Sequence, residues 1–223
     1  FRVMNRRNVR FRIRQASTRA SQIPVIPGRP GRFSRLDLAG RPQRNPEPAR
    51  MDVELVPEGK LREADLASLL ENCFPETFEG RTYFKQLPHA RLLVRQPKLI
   101  AQVALDLRII RVGSELLRIL GLIDLCVAPE HRGQGLAGRL LRTAEATAAD
   151  WGADFTLLFA DRPTLYQRSG YQSPDPAQVT WLGIEERASC GQLHRDLSGT
   201  LWYQSVSGKV WPPGDIDLLG YLF

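Results

Sequence analysis

Residues 120–127 form an apolar run that leads through a glycine-bearing loop into an amphipathic helix, and few folds accommodate that succession. The junction reads Asp124-Leu-Cys-Val-Ala-Pro-Glu-His-Arg132-Gly-Gln-Gly135-Leu-Ala137. Beyond it, Leu136, Leu140, Leu141, Ala144 and Ala148 recur at steps of three and four, which predicts a helix over residues 136–151. A loop that enters a helix N-terminus presents backbone N–H groups with no intrahelical partner, backed by the positive end of the helix dipole. Such donors suit a phosphate. Gly133 and Gly135 permit positive φ and close approach, and Arg132 adds a charge-assisted contact. The segment therefore calls for a phosphate-bearing ligand.

Several nucleotide-binding loops fit that description in part. The Gly-x-x-x-x-Gly-Lys-Ser/Thr of a P-loop is absent. Gly133, Gly135 and Gly138 do satisfy the spacing of a dinucleotide-binding fingerprint. Against that reading stand Arg132 inside the turn, the mid-chain position, and no second strand ending in an acid about 20 residues on. The residues instead resemble the acetyl-CoA motif of the Gcn5-related N-acetyltransferases, Arg/Gln-x-x-Gly-x-Gly/Ala, here Arg132-Gly-Gln-Gly135-Leu-Ala137. Downstream, Leu165-Tyr166-Gln-Arg-Ser-Gly170-Tyr171 is similar to that family's second signature.

The resemblance implies an α/β fold of the α+β kind: a twisted mixed sheet with helices on both faces. It implies acetyl-CoA as co-substrate and an amine-bearing acceptor. Arg132, Gly133, Gln134, Gly135, Leu136, Ala137 and Gly138 would hold the pyrophosphate. Backbone groups of Leu125, Cys126 and Val127 would pair with the pantetheine arm where their strand splays from its neighbour. Tyr166 would protonate the departing thiolate, as suits a phenol that is neutral near pH 7. Many members carry a glutamate nine residues before the motif arginine; here that position is Ile123. Asp124 adjoins it; strict strand alternation points Asp124 to the opposite face, whereas a bulge in the strand would still let it contact the site. Glu79, Asp161 and Glu76 are further candidates for the base.

Three stretches narrow the resemblance towards the nodulation N-acyltransferases and the aminoglycoside 2′-N-acetyltransferases. They are Phe78-Glu79-Gly80, Asp161-Arg-Pro-Thr-Leu165 and Val210-Trp-Pro-Pro-Gly214-Asp-Ile-Asp217. Both groups modify an amine on a sugar. Glu76, Glu79, Asp161, Asp215 and Asp217 would give an acidic face for such an acceptor. A protein or peptide acceptor, and a non-catalytic acyl-CoA-binding module, are the alternatives.

Charge divides the chain in two. Residues 1–50 hold 13 arginines, six prolines and only two acids, whereas residues 51–223 hold 18 basic and 22 acidic residues. The first segment lacks a sustained apolar period and is expected to be a disordered basic tail. An upstream start before Met51, a nucleic-acid- or surface-binding tail and a transit peptide all remain open for it. Residues 51–223 are expected to form a single domain. No run of about 18 apolar residues occurs, so no membrane span is expected. Cys73, Cys126 and Cys190 are odd in number and widely spaced, as are His89, His131 and His194. That spacing suits neither a metal site nor a disulfide framework, so a reduced, cytoplasmic setting is expected. A homodimer is compatible with the chain.

Overall fold

The computed structural model describes residues 52–75, 77–83, 86–161, 163–185 and 188–223. They lie in the compact unit Pro48–Phe223. The expectation of a disordered tail over residues 1–50 falls outside the described residues.

The chain runs β1 (Val53–Pro57), α1 (Glu63–Cys73), β2 (Ala90–Gln96), β3 (Lys98–Val112), β4 (Glu115–Val127), a single 3-10 turn (Pro129–His131), then α2 (Leu136–Asp150). It continues as β5 (Phe155–Phe159), α3 (Pro163–Arg168), β6 (Gln178–Glu185), β7 (Ala188–Asp196), β8 (Leu201–Ser205) and β9 (Ile216–Tyr221). The sheet order is β7-β6-β9-β3-β4-β5-β8, with β2 also on β3 and β1 on β2. β3, at 15 residues, is long enough to be shared. Its first half pairs β2, while Arg111 and Val112 pair Asp217 and Ile216 of β9. The pairings β4–β5 and β6–β9 are parallel, so the sheet is mixed as expected.

Burial separates the two faces. Leu136, Leu140, Leu141, Ala144 and Ala148 of α2 pack with Val103, Leu105, Leu120, Leu122 and Leu158. On the opposite face α1 packs through Leu66, Leu69 and Leu70 against Leu93, Leu99 and Cys126. The far end of that second face is covered by the β6–β9 region, where Val179, Trp181, Ile216 and Leu218 meet Ile110, Ile119 and Leu157. Each side chain of this size removed from water contributes roughly 1.5–3 kcal/mol.

The aromatic and acidic stretch 74–87 reads in the sequence as a loop with a short helix; its described residues hold no helix and turn through Glu79 and Gly80 at positive φ. Beyond α3 the sequence reads as strands at residues 179–184 and 200–206, and the structure adds β7 and β9. β7 is an edge strand whose described side chains are mostly exposed. Among the described residues no helix is long and apolar enough to cross a membrane.

Candidate active site

The site is organised by a phase slip in β4. Leu120 and Leu122 pack with α2, and so do Leu125 and Val127. Strict alternation would join 124 and 126 to Leu120 and Leu122, yet Cys126 packs with α1. One residue is therefore inserted. Ala104 pairs Ile123 and Gln102 pairs Cys126, so the single residue Val103 lies opposite both Asp124 and Leu125. Asp124 absorbs the bulge at φ +53, a conformation that Asp tolerates better than most residues. The strand thus bulges at Asp124, the case in which this residue can still reach the site, and its carboxylate feels the charge of Arg91.

Behind Asp124 is a buried polar chain. Gln102 donates through Nε2 to the backbone oxygen of Asp124. Gln102 Oε1 accepts from Arg91 Nη1 at 3.1 Å, and Arg91 Nη2 donates to the carbonyl of Thr82 at 2.6 Å. Arg91 is only 1% exposed. The Glu58 carboxylate lies 3.4 Å from Arg91 Nε, and neither of those two atoms makes a well-formed hydrogen bond. Burial pushes the Asp124 carboxyl up to about 6, with the Arg91 charge opposing the rise. That places its titration close to neutral pH.

The phosphate-suited loop follows. Arg132 Nε donates to the Val127 carbonyl at 3.2 Å, closing the loop onto the strand end. Gly133 and Gly135 sit at φ +78 and +77, and Gly135 caps α2 with no side-chain hydrogen bond. The first N–H groups of α2 thus carry no side-chain cap. Residues 132–135 are exposed, Leu136 is buried, and Ala137 and Gly138 are half-buried. At the end of α1, Cys73 hydrogen-bonds the Cys126 thiol, an interaction that with nearby Arg132 lowers the Cys73 thiol. The same thiol pairing, together with burial, raises Cys126.

β4 and β5 pair only at Ile119–Phe155, Leu120–Thr156 and Gly121–Leu157. Beyond that point residues 122–127 keep β3 on one side and, among the described residues, have no strand on the other. Tyr166 of α3 packs into the same cluster as Leu125, Val127 and Leu136. Burial raises its phenol to about 12, so it stays protonated across the neutral range. Tyr171, whose ring meets Tyr166 at 6.0 Å and 70°, accepts from Thr156 Oγ1 and hydrogen-bonds Glu145.

The remaining candidates stand apart. Glu79 is exposed and 3.9 Å from Arg81. Asp161 is exposed at the end of β5, on an open cleft of about 500 Å³ that Leu165 and Arg168 also line. Asp217 is held by Arg111 at 2.7 Å, and Glu76 lies outside the described residues. Asp124 and residues 125–127 run directly into the loop 132–138, Tyr166 shares a hydrophobic cluster with Leu125, Val127 and Leu136, and Glu79 and Asp161 are at the surface. Sequence reasoning missed Arg91 and Gln102. A lone arginine inside Ala90-Arg-Leu-Leu-Val94 was the available signal.

On the second face the Phe223 ring lies against Gly121, its Cε2 2.9 Å from where a Cβ on Gly121 would stand. Phe159 meets it edge-on at 5.3 Å, and the Arg108 guanidinium lies 4.6 Å over its centre. Arg108 is fixed by Asp106 and by the Tyr221 carbonyl.

Comparison with known proteins agrees with this architecture. The acetyltransferase (GNAT) domain family matches residues 60–173. No curated protein matches the chain. Among solved structures, the GNAT family N-acetyltransferase YhbS from Escherichia coli, in complex with CoA, has a TM-score of 0.55 at 18% identity; the match covers 78% of this chain and 93% of that one. A GNAT family acetyltransferase from Brucella melitensis, in complex with acetyl-CoA, has a TM-score of 0.49 at 16% identity, over 74% and 95% of the two chains. The family match spans half of the chain and includes the β4–loop–α2 unit and Tyr166, and the chain belongs to the GNAT acetyltransferases.

Proposed function

We propose that this acetyltransferase moves the acetyl group of acetyl-CoA onto a primary amine of a small molecule, by direct attack. The observation that carries the reading is the opening of β4 from β5 ahead of an α2 N-terminus without a side-chain cap, with Tyr166 in the cluster that holds Leu125, Val127 and Leu136. The E. coli relative of the same fold was solved with CoA. Arg132 and the N–H groups of residues 133–138 would hold the pyrophosphate, and the free edge at Leu125, Cys126 and Val127 would pair with the pantetheine amides.

The chemistry asks for a neutral amine and a stabilised leaving thiolate. The amine nitrogen forms the new C–N bond as the C–S bond breaks. Asp124, with its carboxyl near neutral pH, takes the proton from nitrogen directly or through one water. Tyr166 gives its phenolic proton to sulfur and regains one from solvent. An amino sugar remains our first acceptor class, on the resemblance of residues 78–80, 161–165 and 210–217. The pairing of Asp217 with Arg111 weakens the acidic face that would favour a polycation.

Calorimetric titration with acetyl-CoA, followed by thiol release across a panel of amino sugars, small amines and peptides, tests the proposal. Micromolar binding and release with at least one small amine are expected. Binding without release on any amine would establish an acyl-CoA-binding module instead, and release on peptides alone would move the acceptor class.

A further inference from the structure

A buried arginine in an apolar strand is costly, and this one is poorly served by its nearest carboxylate. Leu92, Leu93 and Val94 around it are fully buried, and Arg91 itself is the largest fully buried side chain among the described residues. Its contact with Glu58 is long, with Arg91 Nε and Glu58 Oε2 left without good hydrogen bonds. Its well-formed bonds go elsewhere, to the Thr82 carbonyl and to Gln102 Oε1. The second of these fixes an orientation. With Oε1 turned to the guanidinium, the Gln102 amide must present Nε2 forwards, and Nε2 donates to the Asp124 backbone oxygen at the bulge. A side chain on β2 thereby pins the one left-handed residue of β4, and does so through a rigid, always-charged fork.

We infer that Arg91 is a positioning residue for acetyl transfer: through Gln102 it holds the Asp124 bulge, and through its charge it sets the pH at which the Asp124 carboxylate becomes available. The inference rests on the reading of Asp124 as the base. Asp124 faces Arg91 from β2, neutral Gln102 from β3 and the Cys126 thiol on its own strand. Cys73 of α1 lies behind Cys126, and Glu58 lies behind Arg91. Glu58 therefore counteracts the arginine. Removing Arg91's charge should make the Asp124 carboxylate harder to form, and removing Glu58's should make it easier.

The test measures two things in wild type, Arg91→Met, Arg91→Lys, Glu58→Gln and Gln102→Met. One is the pH dependence of kcat/KM with the best amine of the panel. The other is the carbon-13 titration of the Asp124 carboxyl, assigned by its loss in Asp124→Asn. Repeating both in a Cys73→Ser background keeps thiol titration out of the profile. Arg91→Met is expected to move the acid inflection up by about one pH unit or more, and Glu58→Gln to move it down. Arg91→Lys keeps the charge but loses the fork, so kcat should fall about tenfold with the inflection nearly in place. Gln102→Met should likewise lower kcat without moving it. An Asp124 titration unmoved in folded Arg91→Met and in Glu58→Gln overturns the inference. If Arg91→Met does not fold, Glu58→Gln and Gln102→Met decide it alone. Full activity in Asp124→Asn would instead remove the base reading, while the carbon-13 shift would still report whether Arg91 sets the carboxyl.

Discussion

In the proposed mechanism Asp124 and Tyr166 would divide the proton traffic, because burial acts on them in one direction but from different starting points. Desolvation disfavours the charged form of each, lifting the carboxyl to about 6 and the phenol to about 12. At neutral pH one is therefore ionised and able to accept a proton, and the other is protonated and able to give one. Activity should fall as pH drops through about 6, where the carboxylate is lost. Tyr166, at about 12, should add no basic limb over the range in which the protein is assayed. Tyr166→Phe is expected to lower kcat by about 10²-fold or more while CoA affinity changes little and the acid limb survives. Asp124→Asn should remove the limb itself. A Tyr166→Phe enzyme of undiminished kcat in stopped-flow thiol release would take the phenol out of the mechanism.

At the level of elements, the loop between β4 and α2 depends on conformation more than on space. A Cβ added at Gly133 or Gly135 would meet nothing within 4 Å, so crowding is not what requires glycine there. Positive φ is. An L-residue held at φ near +77 costs about 1–2 kcal/mol, or relaxes and re-aims the N–H groups it carries. Gly135→Ala should lower unfolding stability by about 1 kcal/mol yet weaken CoA binding about tenfold or more, measured by denaturant titration and calorimetry. Equal losses in the two measurements would mean the glycine serves folding alone. This loop and its helix were legible in the sequence because both are local: glycine spacing and a 3.6-residue period need no partner. The bulge was legible too, in the spacing Leu120-x-Leu122-x-x-Leu125-x-Val127, whose extra residue marks a slip of face. Strict alternation was the wrong rule to apply across it. Arg91, Gln102 and strand β7 were not legible, since their meaning lies in partners 9 to 22 residues away or in an edge whose described side chains are mostly exposed.

For the molecule as a whole, the two faces of the sheet have different tasks. The α2 face is packed from β1 to β5 and, in the proposed function, carries the donor side of the site, whereas the opposite face is packed by α1 at one end and by the β6–β9 region at the other. Phe223 lies against Gly121, braced by Phe159 and by Arg108, whose own charge is engaged by Asp106. Gly121 is also the last β4 residue paired with β5, so the ring stands at the point where the splay begins. In the proposed function, an acceptor amine that reaches the acetyl group from this face would pass beside Phe223. Phe223→Ala should therefore raise kcat/KM for bulky amines about tenfold relative to small ones, the scale on which a change in an apolar pocket discriminates. Gly121→Ala should destabilise the protein, because its methyl group would displace the ring. Placed in a Phe223→Ala background, the same methyl should cost little, giving a non-additive double-mutant cycle in thermal unfolding. An unchanged ratio of bulky to small amines, in a Phe223→Ala protein that shows this non-additivity, would mean that the ring packs over Gly121 without limiting the acceptor.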